Sequence, residues 1–192
     1  MKICVYGASS PTIDKDYIVK TEALGQQMVK RGHSLVFGGG TNGLMGAVAR
    51  GVKSQNGHIL GVIPKFFRHD RVEVIYTECD ELIEPDTMRE RKQIMEDNAD
   101  AFIITPGGIG TFEEFYEILT LKQLCRHNKP IAIYNINNYY DETLQVILKA
   151  IEKNFVTEKC NELFKVCSTL DEIFAYIESN QPQLALKDLK EG

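Results

Sequence analysis

The sequence has no run near the ~18 consecutive apolar residues of a membrane-spanning helix. Its opening, Met1-Lys-Ile-Cys-Val-Tyr6, is too short an apolar stretch for a signal-peptide core. Cysteine is scarce: the five (Cys4, Cys79, Cys125, Cys160, Cys167) are odd in number, widely spaced and without C-x-x-C. That excludes a disulfide framework and a zinc ribbon and fits reduced thiols in the cytoplasm. Cations are not in excess. A net charge of −5 argues against a general nucleic-acid binder, whose affinity comes from Lys and Arg on phosphates. His33, His58, His69 and His127 show no H-E-x-x-H or other ligand spacing, no G-x-S-x-G elbow occurs, and no Lys-Ser/Thr pair ends a glycine turn. No metal, no cofactor, no covalent mechanism and no P-loop is expected.

What is present is alternation. Apolar runs at Lys2–Tyr6, His33–Phe37, His58–Ile63, Ala101–Thr105, Lys129–Tyr134 and Leu163–Cys167 read as buried strands. Between them lie segments of helical spacing over 14–31, 44–54, 86–98, from the 106–114 turn through Leu121, 139–154 and 169–178. The polar stretch 65–84 holds one further strand, predicted at Val72–Tyr76. Near-continuous apolar strands alternating with helices imply an α/β, Rossmann-like three-layer fold: a central parallel sheet with helices on both faces. With no linker, repeat or low-complexity segment, residues 1–179 read as a single nucleotide-binding domain. Residues 180–192 carry no pattern and read as a flexible C-terminal tail.

Three small-residue turns follow strands: Gly7-Ala-Ser9-Ser10, Gly38-Gly39-Gly40-Thr-Asn-Gly43, and Pro106-Gly107-Gly108-Ile109-Gly110-Thr111. Parallel strands place such turns on one edge of the sheet, where a ligand crevice forms and small residues let it approach the backbone. Each alone can be merely a tight connection; together they favour a phosphate or nucleotide site. Gly38-x-Gly40-x-x-Gly43 matches the dinucleotide fingerprint, yet no Asp or Glu occurs from Leu44 through His69, where a ribose-binding acid belongs, which disfavours a dehydrogenase.

Glu114 has two readings. Thr111-x-x-Glu114 spells a capping box. A carboxylate at a crevice mouth can also activate water or stabilise positive charge on a sugar. Glu113 is the neighbouring competitor. Arg91 shares a helical face with Met88, Ile94 and Met95 and therefore points inward, where it needs an acidic or phosphate partner. Lys92 adds charge at the same mouth or is solvated.

Three segments together resemble the Lonely Guy family of cytokinin-activating phosphoribohydrolases: Gly38-Gly-Gly-Thr-Asn-Gly-Leu-Met-Gly46, Met88-Arg-Glu-Arg-Lys92, and Pro106-Gly-Gly-Ile-Gly-Thr-Phe-Glu-Glu114. The similarity runs from about Lys2 to Ile177. It implies hydrolysis of the N-glycosidic bond of adenosine-type 5′-monophosphates, often N6-substituted, by a metal-free homodimer with sites near the subunit interface. The family's catalytic pair maps onto Arg91 and Glu114, its Arg-Lys pair onto Arg91 and Lys92, its glycine-turn contacts onto Gly108 to Glu114, and a further substrate-contacting Thr onto Thr120. One segment departs. After Gly61-Val-Ile-Pro-Lys65 the family carries an acidic, glycine-containing loop whose Glu contacts substrate, whereas this chain reads Phe66-Phe-Arg-His-Asp70-Arg71, with Arg71 near that Glu. Plain AMP is therefore a substrate alternative, and a non-catalytic nucleotide or cofactor carrier is the rival from another class. Sequences of this kind are also labelled lysine decarboxylases, for which no pyridoxal-phosphate lysine motif is present.

Overall fold

The computed structural model describes residues 1–70 and 73–182. Seven parallel strands form one sheet: β1 (Lys2–Tyr6), β2 (Ser34–Phe37), β3 (Ile59–Val62), β4 (Glu81–Ile83), β5 (Ala101–Ile104), β6 (Ile131–Tyr134) and β7 (Lys165–Cys167), in the order β4-β3-β2-β1-β5-β6-β7. The interior strands β2, β3, β5 and β6 are almost wholly buried, as parallel strands covered on both faces must be. The chain builds outward from β1 to β4 and then returns to the other side of β1, where Val5 pairs with Ile103 and Tyr6 with Ile104. That reversal opens a crevice at the carboxyl ends of β1 and β5.

The helices are α1 (Lys15–Lys30), α2 (Gly43–Lys53), α3 (Lys65–His69), α4 (Met88–Asp97), α5 (Ile109–Gln123), α6 (Asp141–Glu152) and α7 (Leu170–Ile177). Alternate strand residues segregate to two cores. Ile3, Val5, Phe37 and Ile103 meet Leu24 and Met28 of α1, Val48 and Val52 of α2 and Phe174 of α7. Cys4, Tyr6, Phe102 and Ile104 meet Met95 of α4, Phe115 and Ile118 of α5 and Ile147 of α6. Capping boxes start α4 at Thr87–Glu90 and α7 at Thr169–Glu172, satisfying donors that a helix start leaves unpaired. Among the described residues no helix is long and apolar enough to cross a membrane.

α1 and α2 pack backbone against backbone. A Cβ added at Gly25 would lie 2.3 Å from the Val48 carbonyl oxygen, and one at Gly51 would lie 2.1 Å from that of Glu22. Gly51→Ala must push the helices apart, so it is expected to cost about 2 kcal/mol. A lower urea midpoint with an unchanged slope would show it.

Three expectations need correction or fall away. The described residues of the strand predicted at Val72–Tyr76, 73–76, form no strand of the sheet; the edge strand beside β3 is Glu81–Ile83. The described part of the predicted segment instead crosses the Gly38–Gly40 turn, with a single antiparallel bridge from Ile75 to Gly40. Its amide and carbonyl groups are used there: Thr41 N–H donates to Val74 O (2.8 Å) and Tyr76 N–H to Gly39 O (2.8 Å). The stretch after Pro64 that reads as merely polar begins with the short helix α3. Arg71, Val72 and most of the predicted flexible tail (183–192) lie outside the described residues.

Candidate active site

The three turns are hydrogen-bonded into one rim. Ala8 N–H donates to Pro106 O (3.1 Å), and Ala8 O accepts from Leu44 N–H (2.8 Å) and Met45 N–H (3.2 Å). The latter two bonds close the N-terminus of α2 with a carbonyl from the β1 turn. Gly43 makes this approach possible: its φ is +61°, and a Cβ there would sit 2.3 Å from Ala8 O. Gly7 is buried against Thr105, whereas Ser9 is exposed on the rim. Gly39 and Gly40 are buried beneath the 73–76 crossing.

α5 begins differently. Its N-cap is Gly108, which has no side chain to cap with, and the first internal bond runs from Phe112 N–H to Gly108 O. The N–H groups of Ile109, Gly110 and Thr111 therefore precede any intrahelical acceptor. A Cβ at Gly108 or Gly110 would meet nothing within 4 Å, so space lies open at both. Gly107 has the reverse constraint, because a Cβ there would lie 2.1 Å from Thr111 Oγ1. From behind, Tyr139 Oη donates to Gly107 O (2.6 Å) and Tyr140 Oη to Thr105 O (2.8 Å), pinning the turn. An open helix start with the positive end of the dipole behind it is a ready anion site. On the α1 side of this turn is an apolar cavity of about 200 Å³ walled by Ile13, Tyr17, Leu44 and Tyr139.

The capping-box reading of Thr111 and Glu114 fails. Thr111 is the third residue inside the helix and buried, and Glu114 lies more than a turn from the N-cap. With no cap to complete, the Glu114 side chain, 11% exposed, turns toward Arg91, whose Nη1 is 3.9 Å from Glu114 Oε1. Burial pushes the Glu114 carboxyl up to about 7, against the pull of Arg91.

Arg91 is 5% exposed and inward-facing, as its helical spacing predicts. Its Nε donates to Val62 O at the end of β3 (3.1 Å) and its Nη2 to Gly38 O at the end of β2 (3.0 Å). Its guanidinium carbon stands 5.6 Å from the Phe67 ring centre. A planar fork suits this arrangement, since two strand ends fix the guanidinium while Nη1 stays directed at Glu114. Lys92, beside it in sequence, points elsewhere. Its Nζ bridges Glu113 and Glu117 (2.7 Å to the latter), tying α4 to α5. Glu113 is thus spoken for on the outer face. Thr120 donates its hydroxyl to Tyr116 O (2.7 Å) and lies on the exposed face of α5, apart from the Arg91–Glu114 pair within one chain.

One acidic residue without any sequence signal also belongs here. Glu73 Oε1 is buried without a hydrogen-bond partner, against Gly40. Nothing in the sequence singles it out, since it lies in a polar stretch without periodicity. Ala8, Tyr139 and Phe67 were likewise invisible, because their roles depend on a carbonyl, a hydroxyl reach and a ring contact across the fold.

Residues 45–177 match a family model described as "Possible lysine decarboxylase". Cytokinin riboside 5′-monophosphate phosphoribohydrolase LOG of Oryza sativa subsp. japonica is 37% identical over 182 residues, covering 95% of this chain and 74% of that protein. Cytokinin riboside 5′-monophosphate phosphoribohydrolase LOG2 of Arabidopsis thaliana is 36% identical over 182 residues, covering 95% and 84%. The chain belongs to the Lonely Guy family. Among solved structures, the molybdenum cofactor carrier protein of Chlamydomonas reinhardtii superposes with a TM-score of 0.70 over 92% of this chain and 95% of that one, at 20% identity. That likeness is one of fold. The Lonely Guy relatives span nearly all of the sheet, the three turns and both members of the Arg91–Glu114 pair.

Proposed function

We propose that this Lonely Guy protein hydrolyses the N-glycosidic bond of adenosine-type 5′-monophosphates, N6-substituted ones included, giving free base and ribose 5-phosphate. The observation that carries the reading is an uncapped helix start beside a buried carboxylate–guanidinium pair. The 5′-phosphate docks on the N–H groups of Ile109, Gly110 and Thr111, with Gly107, Gly108 and the rim at Gly7, Ser9, Gly39 and Gly40 admitting it closely. Phosphate at the start of α5 leaves the sugar near Glu114. With its proton affinity raised to about 7, Glu114 is poised near neutrality to take a proton from water or to face the positive charge that grows on the ribose. Arg91, locked by Val62 and Gly38, holds that carboxylate in place. Lys92 keeps α4 against α5, with Glu113.

This reading includes a cytoplasmic homodimer. The support for the dimer is the outer face of α5, where Ile109 is 87% exposed and Tyr116 is also exposed. Thr120 shares that face, so it would reach a substrate only across a subunit boundary. A decarboxylase using a Lys92 Schiff base is disfavoured by the two carboxylates that hold its ammonium. The test is direct: purified protein incubated with AMP and with N6-isopentenyl-AMP is expected to release free base. Failure to release base from either, by a protein that is folded, overturns the assignment.

A further inference from the structure

The roles above leave Glu73 unused. A Cβ placed on Gly40 would stand 2.0 Å from Glu73 Oε1 and 3.0 Å from Met45 Cε. A Cβ on Gly38 would stand 1.9 Å from Arg91 Nη2 and 2.9 Å from Met45 Sδ. Glu73 and Arg91 thus occupy successive places over one glycine turn, with the Met45 side chain lying along the same two glycines. Arg91 is ion-paired with Glu114 of α5, and its field also reaches Glu73 along the Gly38–Gly40 turn. The Gly40 backbone and the Met45 side chain of α2 offer no charge there, and among the described residues the Arg91 guanidinium of α4 is the charge whose field reaches Glu73.

A buried carboxylate oxygen with no donor is costly, and the cost falls when the group carries its own proton. Burial pushes the Glu73 carboxyl up to about 7, outweighing Arg91. In its protonated form, a carboxyl over the Gly38–Gly40 turn beside the Arg91 site has one thing to give, a proton. N-glycoside hydrolysis needs one, because a purine anion leaves poorly unless a ring nitrogen is protonated. Glu114 cannot supply it while accepting a proton from water. Paired carboxyl groups with opposite proton roles solve the same problem in glycoside hydrolysis.

We propose that Glu73 is the general acid of the reaction, donating its proton to a ring nitrogen of the departing base. The proposal rests on the phosphoribohydrolase reading. As the C1′–N9 bond breaks, its electron pair goes to the base and the Glu73 proton binds a ring nitrogen. Water oxygen bonds to C1′ and its proton passes to Glu114. Solvent exchange then returns a proton to Glu73 and removes one from Glu114, so the net consumption is one water. Arg91 favours the step by stabilising the Glu73 carboxylate left behind.

The test compares two leaving groups. Glu73→Gln keeps the shape and neutrality of the resting acid but has no proton to deliver. It is expected to lower kcat on AMP by about 10²–10³-fold. On 4-nitrophenyl β-D-ribofuranoside 5-phosphate, whose phenolate departs without a proton, kcat is expected to change less than about threefold. The alkaline fall of the wild-type pH profile on AMP should also disappear in the variant. Equal losses on both substrates, a change confined to KM, or full AMP activity in Glu73→Gln would each overturn the proposal. If the wild-type protein cleaves neither substrate, the phosphoribohydrolase reading itself fails, an outcome distinct from the other three.

Discussion

Glu114→Gln is expected to lower the kcat for base release about 10³-fold and to make the protein more stable above neutral pH. The rate loss follows from removing the one carboxylate that is both buried beside the open helix start and ion-paired to Arg91. The stability gain follows from linkage. The carboxyl is raised from 4.5 to about 7 in the fold, so the native state binds this proton more tightly than the unfolded chain does. That contribution is complete below pH ~4.5 and is lost as pH rises through about 7. A neutral amide escapes the loss. The advantage of Glu114→Gln over wild type should therefore be near zero at pH 4 and approach about 3 kcal/mol at pH 8. Thermal midpoints of both proteins at the two pH values measure it. A variant that is less stable than wild type at pH 8 would mean that Arg91 depends on Glu114 more than burial penalises it. Gain of stability on losing a catalytic group is the usual mark of a site held in strain by its surroundings.

Replacing Arg91 is expected to have the largest effect on the fold. Arg91→Ala leaves the carbonyls of Val62 and Gly38 without their donor, empties the space beside Phe67 and strands Glu114. Removing one member of a buried charged set costs roughly 3–5 kcal/mol. Arg91→Lys separates charge from geometry. An ammonium keeps the positive charge but cannot direct fixed donors to two strand ends and a carboxylate at once. It is expected to recover most of the stability and little of the activity, with base release still at least about 10²-fold down. Urea unfolding and a base-release assay on both variants separate the two contributions. Full activity in Arg91→Lys would show that only the charge matters.

The strand–helix alternation was legible because burial on both faces of a parallel sheet demands apolar runs, and those runs appear at six of the seven strands. The edge strand β4 was not. Glu81 and Leu82 are exposed and Ile83 half-buried, and this three-residue strand has no longer apolar run around it, unlike β7 at the opposite edge. The apolar Val74 and Ile75 imitated it, yet they serve as a brace over the Gly38–Gly40 turn.

At the site, the residue chemistry was written in the chain and the assignment of roles was not. Sequence alone determined three glycine turns on one sheet edge, an arginine on an apolar helical face and a carboxylate just past Pro106–Thr111, because these follow from local spacing and the geometry of parallel strands. Tertiary structure decided which helix start stays open. Ala8 closes that of α2 with its carbonyl, while Gly108 leaves that of α5 bare, and neither fact has a local signature. It also decided that Glu114 caps nothing and turns to Arg91, that Lys92 clamps α5, and that Glu73 arrives over Gly40 from a segment without pattern. The reason is physical. Burial and proton affinity depend on what surrounds a side chain, and the chain folds those surroundings together from residues far apart in the sequence.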